Sequence, residues 1–257
     1  MAAVSHFSDA GFALDISNQA VFGKSLSEIA LHCTPETLDA ANSVCLIKDK
    51  SGAELWVGLQ RGANDAWEVQ TANPAFVGEG HAEVEITGDV SDPEFKPFET
   101  SISAHFAGDQ VPITFELADP REATRFSANT KLTVDIAAFS YEPSVFADEV
   151  AFSKSQAKEK VAFAANFFIP SGSYRESAGG AMPDDSKRPI AYADFAGTVL
   201  KAELRTNAYG GKFWWTPVRT YAGAVFDVVM DPASIKENPK PGSIVEGRFW
   251  LSARISK

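Results

Sequence analysis

The chain has 257 residues, of which 45% are apolar and 22% charged, with 19 phenylalanines and a formal net charge of -11. Such a length buries a core of its own, and such a composition excludes a disordered chain, which would be poorer in aromatic residues. An acid excess of this size repels a polyanion beyond short range.

The opening "MAAVSHFSDAGFALDISNQ" carries Asp9 and Asp15 where a secretory signal would be apolar. No run reaches the roughly 18 uninterrupted apolar residues of a membrane span, so a soluble, cytoplasmic protein without a membrane partner is expected. "SLSE" at 25–28 has capping-box spacing, which predicts a short helix beginning at Ser25 and running into "IALHC". In "TPETLDAAN" Thr34 suits an N-cap and Pro35 a first helical turn, so a second helix is expected there. The two cysteines, Cys33 and Cys45, lie too far apart for a CxxC pair and are expected to be free thiols.

The pattern then changes to strands. "SVCLIKDKSGAELWVGLQ" reads as a hairpin around Gly52. "HAEVEITG" alternates Ala82, Val84 and Ile86 against Glu83 and Glu85, the signature of a half-buried strand. Prolines and acids gather over 88–101 as a loop or linker, after which "VPITFELADP" and "KLTVDIAAF" return to strand. Ser153 and Gln156 at capping-box spacing predict a helix near 154–165. Residues 167–189 form the longest irregular stretch, of a kind that is usually mobile or functional.

From 190 onward four strand-like runs form a meander: "IAYADFAGTVLKAELRT", "KFWWTPVRTY", "AVFDVVMD" and "SIVEGRFWLSARI". "ITFELADP" and "VFDVVMDP" resemble each other, as two related β units or as a coincidence of Asp-Pro turns. The expected fold is mainly β (α+β): a mixed N-terminal part with short helices and hairpins, then an antiparallel β-barrel or sandwich. A small barrel like the oligonucleotide/oligosaccharide-binding (OB) fold fits the meander, and a sandwich reads nearly the same. Residues 1–125 are taken as an acidic mixed α/β part and 126–257 as a mainly β part with a basic C-terminal meander, unless both form one compact unit.

Charge is split unevenly. Residues 1–186 hold 12 Lys and Arg against 28 Asp and Glu, whereas 187–257 hold 11 against 6. Either the basic part meets an anionic ligand or the two parts attract each other. Glycine-loop, nucleophile-elbow and zinc patterns are all lacking, and His6, His32, His81 and His105 lie far apart, so no catalytic residue, metal ligand or cofactor is assigned.

Two strands offer a ligand surface. If 213–221 is a strand, Phe213, Trp215, Pro217, Arg219 and Tyr221 share one face, while Trp214, Thr216, Val218 and Thr220 share the other. The face with Trp214 and Val218 is uncharged and is assigned inward, which turns Trp215 out beside Arg219 and Tyr221. In the last run Val245, Gly247, Phe249, Leu251 and Ala253 form an apolar face, which leaves Arg248, Trp250 and Arg254 opposite it. An indole between guanidinium groups stacks on a base or sugar while the charges meet phosphate or carboxylate. The sequence thus points to a non-catalytic binding module for an anionic or ring-bearing (carbohydrate) ligand at Trp215, Arg219, Tyr221, Arg248, Trp250 and Arg254. The alternatives are a protein-interaction or assembly protein, either a homodimer or a subunit masking another protein's basic surface with its acidic N-terminal part, and an enzyme with dispersed site residues under a 167–189 lid. In the competing structural reading the outward faces pack on the acidic N-terminal part of the same chain and the rings are core.

Overall fold

The computed structural model describes residues 6–14, 17–171 and 189–256. It is mainly β, as the alternating runs predict. The chain opens with α1 (His6–Asp9) and α2 (Gln19–Ala30). A four-stranded antiparallel sheet follows, β1 (Glu36–Thr37), β2 (Asn42–Lys48), β3 (Ala53–Arg61) and β4 (Trp67–Phe76), in that spatial order. The remaining eleven strands form one mixed sheet: β5 (Ala82–Asp89), β6 (Ser101–Phe106), β7 (Pro112–Leu117), β8 (Lys131–Ser140), β9 (Ser144–Phe146), β10 (Phe168–Pro170), β11 (Tyr192–Val199), β12 (Glu203–Thr206), β13 (Lys212–Arg219), β14 (Val225–Met230) and β15 (Ile244–Ile255). A short helix, α3 (Glu149–Gln156), lies between β9 and β10.

Twelve-residue β15 organises this sheet. Along one edge β9 pairs with its first half and β8 with its second, while along the other edge β11 pairs with the first half and β7 with the second. Hydrogen bonding therefore closes two rings, β8–β14–β13–β11–β15 and β8–β5–β6–β7–β15, that share the β8–β15 pair. Strands from both sides of residue 125 take part. Two pairings, β14 with β8 and β15 with β7, are parallel, so the sheet is mixed rather than wholly antiparallel.

Period-two alternation explains what fills it. Ala82, Val84 and Ile86 of β5 join Val134 and Ile136 of β8 and Phe249, Leu251 and Ala253 of β15 in one interior core. On β8, β13, β14 and β15 the opposite face is apolar too, because the four-stranded sheet packs across it: Cys45, Leu55, Val57 and Phe76 meet Phe139, Phe213, Trp215, Val229 and Trp250, whereas β5 keeps Glu83 and Glu85 there. Leu26 of α2 and Phe12 close the rim of this second core. Within the 88–101 segment residues 90–100 are a loop joining the paired strands β5 and β6, and its Phe98 packs on the outer face of the small sheet. A side chain at Gly58 would meet that ring at 2.6 Å, so the contact needs glycine.

Four local expectations are corrected. Helix α2 begins at Gln19, not Ser25, because the Asn18 side chain accepts from the Val21 N–H. Residues 34–42 are not helical: Glu36 and Thr37 pair with β2, and Asp39 accepts from the backbone of Ala41 and Asn42, a side-chain turn that competes with a helix. The third helix is capped by Asp148 and ends at Gln156, so it shares only 154–156 with the expected 154–165, because the Gln156 side chain turns the chain by accepting from the Phe163 N–H and donating to Glu246. Cys33 and Cys45 are not free thiols but a disulfide, with Cα atoms 5.8 Å apart, that ties the end of α2 to β2. Of the irregular stretch 167–189, the first residues form β10, and 172–188 lie outside the described residues. Among the described residues no helix is long and apolar enough to cross a membrane.

The disulfide spans 12 positions. Cys33→Ser is expected to lower the unfolding free energy by about 2–3 kcal/mol through the freed loop entropy of the unfolded chain. Urea denaturation of both proteins without reductant measures this, and an unchanged midpoint would show the bond to be thermodynamically idle.

Candidate functional site

On the outer face of the large sheet β11 and β15 run antiparallel, with Tyr192 opposite Trp250, Asp194 opposite Arg248 and Ala196 opposite Glu246. The Arg248 guanidinium grips Asp194 with two bonds, Nε–Oδ1 at 2.9 Å and Nη2–Oδ2 at 3.0 Å, the planar fork that arginine forms with a carboxylate. Around this pair opens a cleft of about 480 Å³, walled by Tyr141, Glu142, Phe163, Phe167 and Ile169, with Glu246 beside the floor. Tyr141 is held by its N–H on the Arg248 carbonyl at 2.8 Å. Chain 142–143 crosses directly over β15 at Gly247, where a Cβ would stand 2.9 Å from the Glu142 carbonyl. Phe163 and Phe167 lean together at 4.7 Å, and Phe163 and Tyr141 are each 41% exposed.

The cleft is acidic. Among the described residues Glu142, Asp194 and Glu246 line it with a single guanidinium, already committed to Asp194. Burial raises the proton affinity of Glu246, an effect the Gln156 amide opposes and Glu159 adds to. Flat apolar rings beside a fixed hydrogen-bonding pair can hold a ring-shaped polar molecule, whereas a phosphate would meet uncompensated negative charge.

The structure scatters the six residues expected to bind ligand. The pleat throws Trp214 and Trp215 to opposite sides, and the face with Trp214 and Val218 does turn inward, but the opposite face does not meet solvent at Trp215 because the small sheet covers it. Trp214 leans on the interior core, while Trp215 is wholly buried under the small sheet. Its indole N–H donates to Asp227 at 2.7 Å, and Arg205 and Lys201 stand 3.7 and 4.6 Å from the ring. Trp250, 6% exposed, stacks on His6 at 5.5 Å. Arg254 pairs at 2.8 Å with Glu54, a carboxylate 3% exposed that also accepts from Trp56. Tyr221 donates to Asp109 at 2.5 Å, and Arg219 ends β13 in solvent. Arg248 alone of the six lines the cleft.

The pairing of Arg254 with Glu54, and of Lys201 with Glu79 at 3.3 Å, brings basic C-terminal residues onto acidic N-terminal ones. Glu246 was within reach of sequence reasoning, since it shares a strand face with Arg248 and Trp250; Asp194 was not, because it lies on a different strand and meets Arg248 only through the β11–β15 pairing, and neither were Tyr141 and Phe163, because one follows a strand end and the other was placed in a helix. Among the described residues no three of His, Cys, Asp and Glu converge as a metal-holding group. The sequence matches no protein-family profile, and no curated protein is similar to it.

Two measurements check these electrostatics. Arg254→Ala strands the buried Glu54 carboxylate and is expected to cost about 3–5 kcal/mol of stability, read by chemical denaturation. Glu116, beside Ser252 on β7, accepts from the Trp250 indole yet is pushed up to about 7, first by burial and then by Glu99. A carboxyl raised in the folded state contributes stability below its unfolded value of 4.5 that is lost as pH climbs through about 7. Melting temperatures of the native protein should therefore fall relative to Glu116→Gln across that window; parallel curves would contradict the assignment.

Proposed function

We propose that the protein is a non-catalytic binding module whose cleft takes an uncharged, ring-bearing, hydroxyl-rich ligand, a saccharide. The single observation behind this reading is the bidentate Asp194–Arg248 pair sharing one cleft with the exposed rings of Tyr141 and Phe163. The rings supply flat apolar surface for a pyranose face, and the pair supplies donors and acceptors in fixed directions for vicinal hydroxyls. Of the anionic and carbohydrate ligands that the sequence left open, the three carboxylates favour the carbohydrate. A cleft of this size also falls in the usual range for small-ligand sites, about 300–1,000 Å³. The disulfide supports an oxidising setting in place of the expected cytoplasm.

Calorimetry against neutral oligosaccharides (cellohexaose, laminarihexaose, chitohexaose), heparin and an oligonucleotide tests the reading. One neutral saccharide should bind with little dependence on salt, while phosphate-driven binding would weaken steeply with ionic strength. Phe163→Ala and Asp194→Asn should each weaken that binding about tenfold, equivalent to about 1.4 kcal/mol. Binding of only the anionic polymers, or of nothing, would reject it, and light scattering on the same samples would then address self-association.

A further inference from the structure

A buried polar chain lies at the end of the cleft and joins it to the N-terminal helix. Asp9 of α1 is 3% exposed. Its Oδ1 accepts from the Ser140 hydroxyl at 2.8 Å and from the Asp231 N–H at 2.9 Å, which fixes the carboxylate and aims Oδ2 at Nδ1 of His6, 3.6 Å away. Among the described residues neither Oδ2 nor Nδ1 has a hydrogen-bond partner. The other imidazole nitrogen, Nε2, lies 3.1 Å from the Tyr192 hydroxyl, and the ring is stacked on Trp250 at an interplanar angle of 20°. Around His6, α1 presents Asp9 and β11 presents Tyr192; β8 and β15 present Phe139, Ser140 and Trp250, which carry no charge.

The protonation state of such an imidazole dictates which way its hydrogen bonds run. With one proton, Nδ1–H points to Asp9 and Nε2 accepts from Tyr192. With two, Nε2 becomes a donor, so Tyr192 must accept and send its own proton elsewhere. The groups in electrostatic reach of Tyr192 are Glu116, Tyr141 and Arg248, of which Glu116 and Tyr141 can accept. Tyr141 and Arg248 are cleft walls, and Tyr192 stands two positions before Asp194 on the same face of β11.

We propose that His6 is a proton-sensing latch: charging its imidazole draws it onto Asp9 and turns the Tyr192 hydroxyl toward the cleft, occupying Tyr141 and weakening ligand binding. Burial raises the proton affinity of Asp9, and His6, the Asp231 N–H and the Ser140 hydroxyl oppose this. The effect on the cleft rests on the cleft being a ligand site; the latch itself does not.

Tryptophan emission of the whole protein, followed from about pH 8 to about pH 5, reads the latch without any ligand, because a charged imidazole in contact with an indole quenches it. A reversible drop is expected in the native protein and in Tyr192→Phe, and its loss in His6→Gln and in Trp250→Phe. An identical profile in native protein and His6→Gln overturns the latch. For the coupling, calorimetry with the neutral oligosaccharide that binds is repeated at both ends of that range. Affinity should fall about fivefold at acid pH in the native protein and in Glu246→Gln, but less than about twofold in His6→Gln and Tyr192→Phe. The same fall in Tyr192→Phe as in the native protein overturns the coupling, and its disappearance in Glu246→Gln would assign the effect to the cleft's own raised carboxyl. If no saccharide binds, the emission profiles still decide the latch.

Discussion

One carboxylate fixes how the two layers meet. Asp227, on β14, accepts from the Trp215 indole and from the backbone N–H groups of Glu79 and Gly80, at 2.7, 3.1 and 2.7 Å. Residues 77–81 are the crossing from β4 in the small sheet to β5 in the large one, so this carboxylate holds both the crossing chain and the largest ring of the buried interface. The approach is close: a Cβ at Gly78 would lie 2.3 Å from the carboxylate, and one at Gly80 would lie 2.7 Å from the Asp227 amide nitrogen. Burial raises the proton affinity of Asp227, and the three donors oppose it, as expected for an acid whose lost hydration is replaced by fixed dipoles.

With that crossing in place, β13 and β15 have no solvent face along most of their length. Interior ring closure covers one side, and the small sheet with α1 and α2 covers the other. The uneven charge of the sequence is used here, since Arg254, Arg205 and Lys201 lie over the joint and meet Glu54, the Ser51 carbonyl and Glu79. Arg205 and Lys201 also stand over the Trp215 ring, so the indole is enclosed by cations on its face and an anion at its edge, matching its quadrupole.

Beyond the edge of the small sheet the same strand face reopens. The row that begins with Arg254 and Trp250 under cover continues to Arg248 and Glu246 at the cleft, where the 141–144 segment and the chain after α3 supply the walls. The cleft and the buried N-terminal helix are therefore neighbours on one continuous ladder. Tyr192 stands between them, touching His6 on one side and sharing its strand face with Asp194 on the other.

Strand character, alternation and the hairpin at Gly52 were legible in the sequence, because Ala82-Val84-Ile86 and Phe249-Leu251-Ala253 impose a period of two that no helix satisfies. The opposite directions of Trp214 and Trp215 followed from the same pleat. Helix starts were misread where Asn18 and Asp148 capped earlier than Ser25 and Ser153, since several residues in a short window can cap and only the packing of the following turn selects one. What the sequence by itself determined was which side chains share a face; which faces meet water was decided by the tertiary structure alone. An apolar or aromatic face is equally well buried by a closed ring, by a second sheet or by a ligand, and the pairing of β1–β4 across β13 and β15 depends on contacts far apart in the chain that no local period encodes.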